Sequence, residues 1–452
     1  MTQPASRSAA HTAALIAFAL ALAGSSIYII PPLRPFHVGL CFLAFALWRG
    51  PDLRTTLRQT FALKCTGGVV LLMALQALWA VNLNRYFSYS VILAIGLAYM
   101  MLGETLARSR SRFLAVLPPL IGFWFILALF PIFDVWTGSQ RFRATYILTG
   151  GPWDNINDMA TVLTLVTLIF TLVKRQVSLP LLAITCFYCV ALNRRADLLG
   201  LIVFVGGYLL ISRDQHRLKL LLRLGSTVIV STAFALMLHT GPFQGFSLPA
   251  ISETPTQVSP PPATNPLATS SAQADSATPA PQAAPPAQPA PAVGLAAEAA
   301  PLPAPSLAPS ASVRPPNESQ TMPLQITLQN GDGSSATRLQ LLAEMYVQAR
   351  HMPWWQWIAG KGVGQLNLTW PDTGAAWASP HMFWLEMLFY FGIGWLLLLG
   401  YLFLRLDNLG RICLVSAGIA GCAPSSIIYL QPFWLFLGVL MAQLPRRQPL
   451  LT

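Results

Sequence analysis

Charge is scarce in this chain. Asp, Glu, Lys and Arg make up 10% of its 452 residues, while 54% are hydrophobic. A soluble domain carries about 25% charged residues, so the composition excludes an ordinary water-soluble globule and points to a membrane protein. Acidic residues are the scarcer sign, 16 Asp and Glu against 28 Lys and Arg. Glu104, Asp158 and Asp197 lie near the ends of apolar runs, and Glu386 lies about a turn and a half into one. Ion-coupled transporters place ionisable residues near the bilayer midplane. Their absence there argues against a secondary transporter or flippase, the reading that a count of spans alone would favour.

Two further absences narrow the chemistry. No acidic cluster suited to Mg²⁺ appears between the runs on the outer side, so no metal and no cofactor is expected. The run GKGVG, Gly360 to Gly364, lacks the G-x-x-x-x-G-K-[ST] spacing of a phosphate loop. That rejects nucleotide binding and leaves a glycine turn, either structural or beside a ligand. Nothing points to a nucleic-acid partner. The six cysteines, Cys41, Cys65, Cys186, Cys189, Cys413 and Cys422, all lie within apolar runs, where a small polarizable side chain packs well. The redox spacing of Cys186 and Cys189 is therefore read as packing.

What is abundant is apolar length. About twelve runs are candidates to cross the hydrocarbon layer: His11–Ile30, Leu33–Trp48, Phe61–Val81, Tyr86–Gly103, Phe113–Phe133, Asn157–Val173, Ser178–Leu192, Leu198–Ile211, Leu220–His239, His381–Leu404, Ile412–Leu430 and Phe433–Leu444. With the N-terminus inside, the loops after even-numbered spans hold most of the Lys and Arg, among them Arg49, Arg54, Arg58, Arg108, Arg110, Lys174, Arg213, Arg405 and Arg446, as the positive-inside bias requires. No small-residue cleavage site follows the first run, which is expected to stay as a span. The expected fold is thus an all-α integral membrane protein with about twelve transmembrane helices and both termini cytoplasmic. Residues 1–245 hold helices one to nine and 381–452 hold helices ten to twelve, with a large outer loop between.

Within that loop, 246–321 is dominated by Pro, Ala and Ser and has too little aliphatic bulk to form a core, so it is expected to be a disordered spacer. Residues 322–380 differ. Leu339, Leu342, Tyr346 and Ala349 recur at helical spacing, which predicts an amphipathic helix over Thr337–Arg350 with Thr337 as N-cap. Trp354, Trp355 and Trp357 follow, a residue type that favours the headgroup level.

The remaining cations fall on the outer side: Arg34, Arg85, Arg141, Arg143, Arg194, Arg195, Arg314, Arg338, Arg350 and Lys361. Taken together they predict a basic outer cleft for an anionic ligand, because a guanidinium grips phosphate oxygens in a two-pronged geometry. Two polar entrances adjoin it. In GGPWDNINDMA, Asn155, Asn157 and Asp158 introduce the sixth helix, and either asparagine serves as its N-cap or faces the cleft. In ALNRRADLLGL, Arg194, Arg195 and Asp197 occupy a short turn between apolar helices; such charges need a wet cavity and partners, and Asp197 neutralises one arginine or lines the cleft.

These stretches resemble the bacterial O-antigen ligase and O-antigen polymerase family, membrane glycosyltransferases that use polyprenyl-diphosphate-linked glycans. PWDNINDMA resembles the family's Asn-rich helix entrance, and NRRADLLGL its short arginine turn, with Arg195 at the arginine position. RLQLLAE resembles its loop arginine motif, led by Arg338 and followed by Gly360–Gly364. HMFWLEMLFYFGIG resembles its histidine–glycine motif, with His381, Met382, Gly392 and Gly394. Met382 replaces a residue that is commonly polar, and Leu342 one that is often aromatic.

The resemblance implies an O-antigen ligase-like enzyme of the bacterial inner membrane, the large loop being periplasmic. It would move a glycan from undecaprenyl diphosphate to the lipid A-core, by metal-independent single displacement with inversion. A polymerase of O-antigen or exopolysaccharide and a pilin oligosaccharyltransferase are the alternatives within the family, with glycan or pilin as acceptor. Arg195 and Arg338 are expected to hold the diphosphate and stabilise its growing charge, with Arg194, Arg143, Lys361 and Asn157 as further substrate contacts. His381, with an ordinary imidazole pKa of about 6.5, is expected to take the proton from the attacking hydroxyl. Glu386 is about 140° round a helix from His381 and cannot orient it.

Overall fold

The computed structural model describes residues 4–23, 33–109, 113, 156–191, 194–212, 217–240, 333–369, 376–377, 382–422 and 430–445. Of these, 4–8, 23, 156–157, 217, 236–240, 333–338 and 376–377 are described by their backbone alone. The chain divides into two units, 1–248 with 323–452, and 249–322. The second lies outside the described residues, as does the expected spacer 246–321.

The described part of the first unit is mostly helical. Its helices are α1 (Pro4–Ala23), α2 (Pro35–Arg49), α3 (Pro51–Arg58), α4 (Phe61–Gln76), α5 (Leu83–Arg108), α6 (Ile156–Lys174), α7 (Leu179–Ala191), α8 (Arg195–Ile211) and α9 (Arg217–Thr240). Within the large loop are α10 (Gly333–Arg350) and α11 (Trp354–Ala359), and after it come α12 (Phe383–Phe391), α13 (Ile393–Arg405), α14 (Asn408–Ala420) and α15 (Gln431–Met441). Among the described residues one two-stranded antiparallel sheet, β1 (Leu368–Thr369) with β2 (Ala376–Trp377), lies between α11 and α12. Helices fall on every predicted span except the fifth, Phe113–Phe133, of which only Phe113 is described.

The core is built around α6 and α15. Every residue of α15 is buried, as is α6 from Asp158 to Val173. The hydroxyls that α6 takes inside are satisfied within the bundle. Thr164, Thr167 and Thr171 donate to carbonyls one turn back at 2.9–3.1 Å, and Thr167 and Thr185 share a hydrogen bond of 2.9 Å. Small residues let backbones touch, as is common between apolar helices. A Cβ at Gly103 of α5 would lie 2.6 Å from the Leu435 carbonyl oxygen, and one at Gly438 of α15 would overlap the Met100 carbonyl.

Two helices, α5 and the Leu218–Ala235 stretch of α9, are long and apolar enough to cross a membrane among the described residues. Shorter apolar helices of 10–17 residues are α2, α4, α7, α13, α14 and α15. Large apolar side chains point outward on α4 (Val70, Leu71), α9 (Leu222, Ile229) and α13 (Leu397, Leu404), each at least 49% exposed.

The expected tenth helix is broken. It splits at Gly392 into α12 and α13, because Gly392 adopts φ +59° and ψ −150°, a backbone that only glycine enters readily. The bend brings the two arms together: the Phe383 and Trp395 rings meet at 5.7 Å and Trp384 and Trp395 at 5.9 Å. Into the outside of the elbow fits the glycine turn. Gly360 has φ +83°, Lys361 N–H donates to the Phe389 carbonyl at 2.7 Å, and a Cβ at Gly392 would lie 2.5 Å from the Trp357 carbonyl oxygen. Gln76, the last residue of α4, donates its side-chain amide to the carbonyls of both Ala359 (2.7 Å) and Tyr390 (2.6 Å). Gln365 continues the seam. Its Oε1 accepts from the Val81 and Asn82 amides at 3.0 and 3.1 Å, and Arg85 Nη1 donates to the Leu366 carbonyl at 3.1 Å.

The loop helix also departs from expectation. α10 begins at Gly333, so Thr337 lies a turn inside it rather than at its cap. Its buried stripe is Leu341, Met345 and Ala349, while Leu339 and Tyr346, expected to face inward, are exposed. The face is chosen by what α10 packs against: Glu344 Oε2 accepts from the Thr369 amide of β1 at 2.7 Å and Gln348 Nε2 donates to the Asn367 carbonyl at 2.5 Å.

Candidate functional site

Three segments carry the residues singled out from the sequence, two of them together at one end of the core and one apart. The first is the arginine turn. After α7 ends at Ala191, the Arg194 amide reaches back to the Cys189 carbonyl at 2.6 Å, and α8 starts at Arg195. Asp197 therefore lies in the first turn of a helix, where the macrodipole favours a carboxylate. It is fully buried, 3.8 Å from Arg194 Nε, and accepts from Thr161 Oγ1 of α6 at 3.3 Å. Arg194 is turned inward onto this acid, and Arg195 is exposed. Of the two readings of Asp197, pairing with an arginine is the one observed, and the arginine is Arg194.

The second segment is the start of α12. Phe383 N–H donates to the Gly421 carbonyl at 3.3 Å, Trp384 Nε1 donates to the Gly418 carbonyl at 2.6 Å, and the Phe383 ring stacks on Phe433 at 4.7 Å. The last turn of α14 is shared with the arginine turn, since Gly200, one turn beyond Asp197, lies against the Ser416 carbonyl and Ala420. The Phe383 backbone and the helix that carries Arg195 thus abut adjacent residues, Gly421 and Ala420.

The third is the glycine turn, a helix length away at the far end of α12, about 13 Å. Lys361 Nζ donates to Gln348 Oε1 of α10 at 2.6 Å, and burial lowers the Lys361 pKa from its ordinary value. Lys361 is in this way coupled to the helix on which Arg338 stands. The structure brings Arg194, Arg195 and Asp197 into one patch and places Lys361 in another. Arg143 and His381 lie outside the described residues, as do the side chains of Asn157 and Arg338. Glu386 is fully buried and accepts a 2.8 Å hydrogen bond from Tyr390 Oη.

One residue escaped the sequence reading. Gln431, the first of α15, is fully buried, and neither atom of its side-chain amide has a hydrogen-bond partner among the described residues. An orphaned buried amide costs roughly 1–3 kcal/mol, so its retention calls for a role. It stands two residues before Phe433, the ring that supports α12. Its signal was available: LQPFWLFLG has one polar side chain at the mouth of an apolar run.

Among the described residues no group of three or more His, Cys, Asp or Glu could hold a metal ion. No family model, curated protein or solved structure matches the chain.

Proposed function

We propose that the protein is a multi-pass glycosyltransferase of the bacterial inner membrane, O-antigen ligase-like, with about twelve spans and its basic cleft on the periplasmic face. Its donor is an undecaprenyl-diphosphate-linked glycan and its acceptor a hydroxyl of the lipid A-core. Arg195 and Arg338 hold the diphosphate, Arg194, Arg143, Lys361 and Asn157 line the cleft, and His381 is the base. The acceptor oxygen bonds to the anomeric carbon from the face opposite the diphosphate. The carbon–oxygen bond to the diphosphate breaks, its electron pair staying on the phosphate oxygen, while His381 takes the acceptor's proton. No metal enters this scheme.

What supports the reading, beside the motifs, is the shared last turn of α14, which meets both the start of α12, two residues after position 381, and the helix bearing Arg195. Asp197 pairs with Arg194 in the first turn of α8, and Arg195 beside it is exposed.

The test is a gel of lipopolysaccharide from a deletion strain. Loss of all polymer from the core with long chains still lipid-linked is expected. A single repeat unit on the core identifies a polymerase, and unchanged lipopolysaccharide with unglycosylated pilin identifies a protein ligase. Complementation with His381→Ala, inserted at native level, is expected to restore less than about a hundredth of the transfer; restoration at the native rate sinks the assignment.

A further inference from the structure

The elbow at Gly392 stands low. Two helices reach it from the end read as cytoplasmic, where the Phe61 and Tyr401 rings stack at 5.3 Å and Lys64 and Arg405 are exposed. From there α4 rises 16 residues to Gln76, and α13 spans 13 residues between Arg405 and Ile393. At 1.5 Å per residue they climb about 24 and 20 Å, against about 30 Å of hydrocarbon, and any tilt shortens them. α11 is fastened to both upper ends. Gln76 donates to the Ala359 carbonyl, and a Cβ at Gly392 would lie 2.5 and 2.6 Å from the Trp357 and Ile358 carbonyl oxygens. Measured along either helix, α11 therefore sits about 6–10 Å below the outer edge of the hydrocarbon layer.

The chemistry of α11 suits that depth. Residues Pro353 to Gly360 include no charged side chain, and Trp354, Trp357 and Ile358 are 74%, 43% and 55% exposed. The outward apolar stripe of α4, Leu71 and Leu75, runs on to Leu78, beside which the Trp79 ring meets that of Trp355 edge-on at 5.1 Å. The stripe of α13 starts at Ile393, next to the elbow. α11 thus continues both apolar faces upward. Backbone at membrane depth must find its partners inside the protein, and here it does. The Pro353, Gln356 and Ala359 carbonyls accept from the Gln356 amide at 2.9 Å, the Gly360 amide at 2.8 Å and the Gln76 side chain at 2.7 Å. We infer that α11 is inserted in the outer leaflet of the membrane, with Trp354, Trp357 and Ile358 among the lipid acyl chains close to their glycerol esters. Trp favours that boundary, and the aliphatic Ile358 and Leu78 offer a glycan nothing to bond. The inference rests on the multi-pass reading but not on the reaction proposed above.

The probes are two phosphatidylcholines that carry a photoactivated diazirine on an acyl chain, beside the ester in one and at the methyl end in the other, and a water-soluble diazirine. The full-length protein is reconstituted in vesicles of phosphatidylethanolamine and phosphatidylglycerol with one probe at a time, irradiated, and its marked residues are located by peptide mass spectrometry. The ester-side probe is expected to mark Trp354, Trp357 and Ile358. The methyl-end probe is expected to mark Leu71 and Leu397, which stand about 12–15 Å up their helices, near the midplane. The water-soluble reagent is expected to pass over α11. Marking of Leu71 and Leu397 without α11 overturns this inference alone, whereas marking of none of these residues overturns the multi-pass reading with it. Marking of α11 by the water-soluble reagent also overturns the inference, as does its protection from all three probes, the pattern that a docked protein would leave.

Discussion

Beyond the C-terminus of α6, Arg175 binds Asp407 and also donates to Gln443 at 2.6 Å, while Asp407 caps α14 through the Gly410 amide at 2.8 Å. At the same end of α15, Glu104 accepts the Phe61 and Ala62 amides at 3.0 and 2.6 Å and is clasped by Arg108 at 2.5 and 2.9 Å. At the opposite end of these helices the pattern differs. Arg194 is matched by Asp197, Arg195 is exposed, and the Gln431 amide is orphaned. Charge at the first end is consumed in fastening helices together. The second end, at which the proposed site is placed, keeps an exposed arginine and a buried amide with no hydrogen-bond partner among the described residues.

Substitutions should separate the two ends. Arg195→Ala is expected to reduce glycan transfer by about a hundredfold or more with no change in thermal midpoint, and Arg195→Lys to recover little of it, since an ammonium lacks the planar fork; a parallel fall in stability and activity would place Arg195 with the fasteners. Glu104→Leu should do the reverse. It strips α4 of its acceptor and leaves Arg108 without its acid, costing about 3 kcal/mol in unfolding measured in micelles, while the folded fraction retains native transfer. Gln431→Leu removes an unsatisfied amide, so its midpoint should equal or exceed that of the native protein, whereas transfer falls about tenfold. Destabilisation there would show that Gln431 has a structural partner.

The smallest effect concerns Lys361. Burial lowers its pKa below its ordinary 10.5, so the unfolded chain binds that proton more tightly than the folded one. Relative to Lys361→Met, the native protein should therefore gain stability as pH climbs from the folded-state pKa toward 10.5. The difference in thermal midpoint between the two proteins, followed from pH 7 upward, reads this directly; a difference that is flat or falls with pH contradicts it.

Helix positions were legible because apolar length alone dictates them, and α5, α6 and α9 stand where their runs predicted, while α1, Pro4–Ala23, lies earlier than its run His11–Ile30. The break of the tenth span was hidden. FYFGIGW is apolar throughout, and what makes Gly392 a corner is the approach of Trp357 and Ile358 from a segment some thirty residues earlier. The face of α10 was misjudged for a similar reason. Its sequence offers apolar residues on more than one side, and the choice of Leu341 and Met345 is made by β1, a two-residue strand that no periodicity announces. Charge was easier to interpret than shape: the arginine turn singled out from the sequence is a compact Arg194–Asp197 pair with Arg195 beside it. Gln431 was passed over because one amide at the end of a span reads as an ordinary boundary residue, and only its complete burial sets it apart.

The clasp made by Gln76 bears on how the protein is built during translation. Its two acceptors, at Ala359 and Tyr390, leave the ribosome long after α4 has been made. Until then this amide lacks both carbonyls that it binds in the folded chain, and a buried donor left unmet is expensive. The amino-terminal helices must therefore wait in a provisional arrangement, and synthesis of the carboxy-terminal third is the event that locks them.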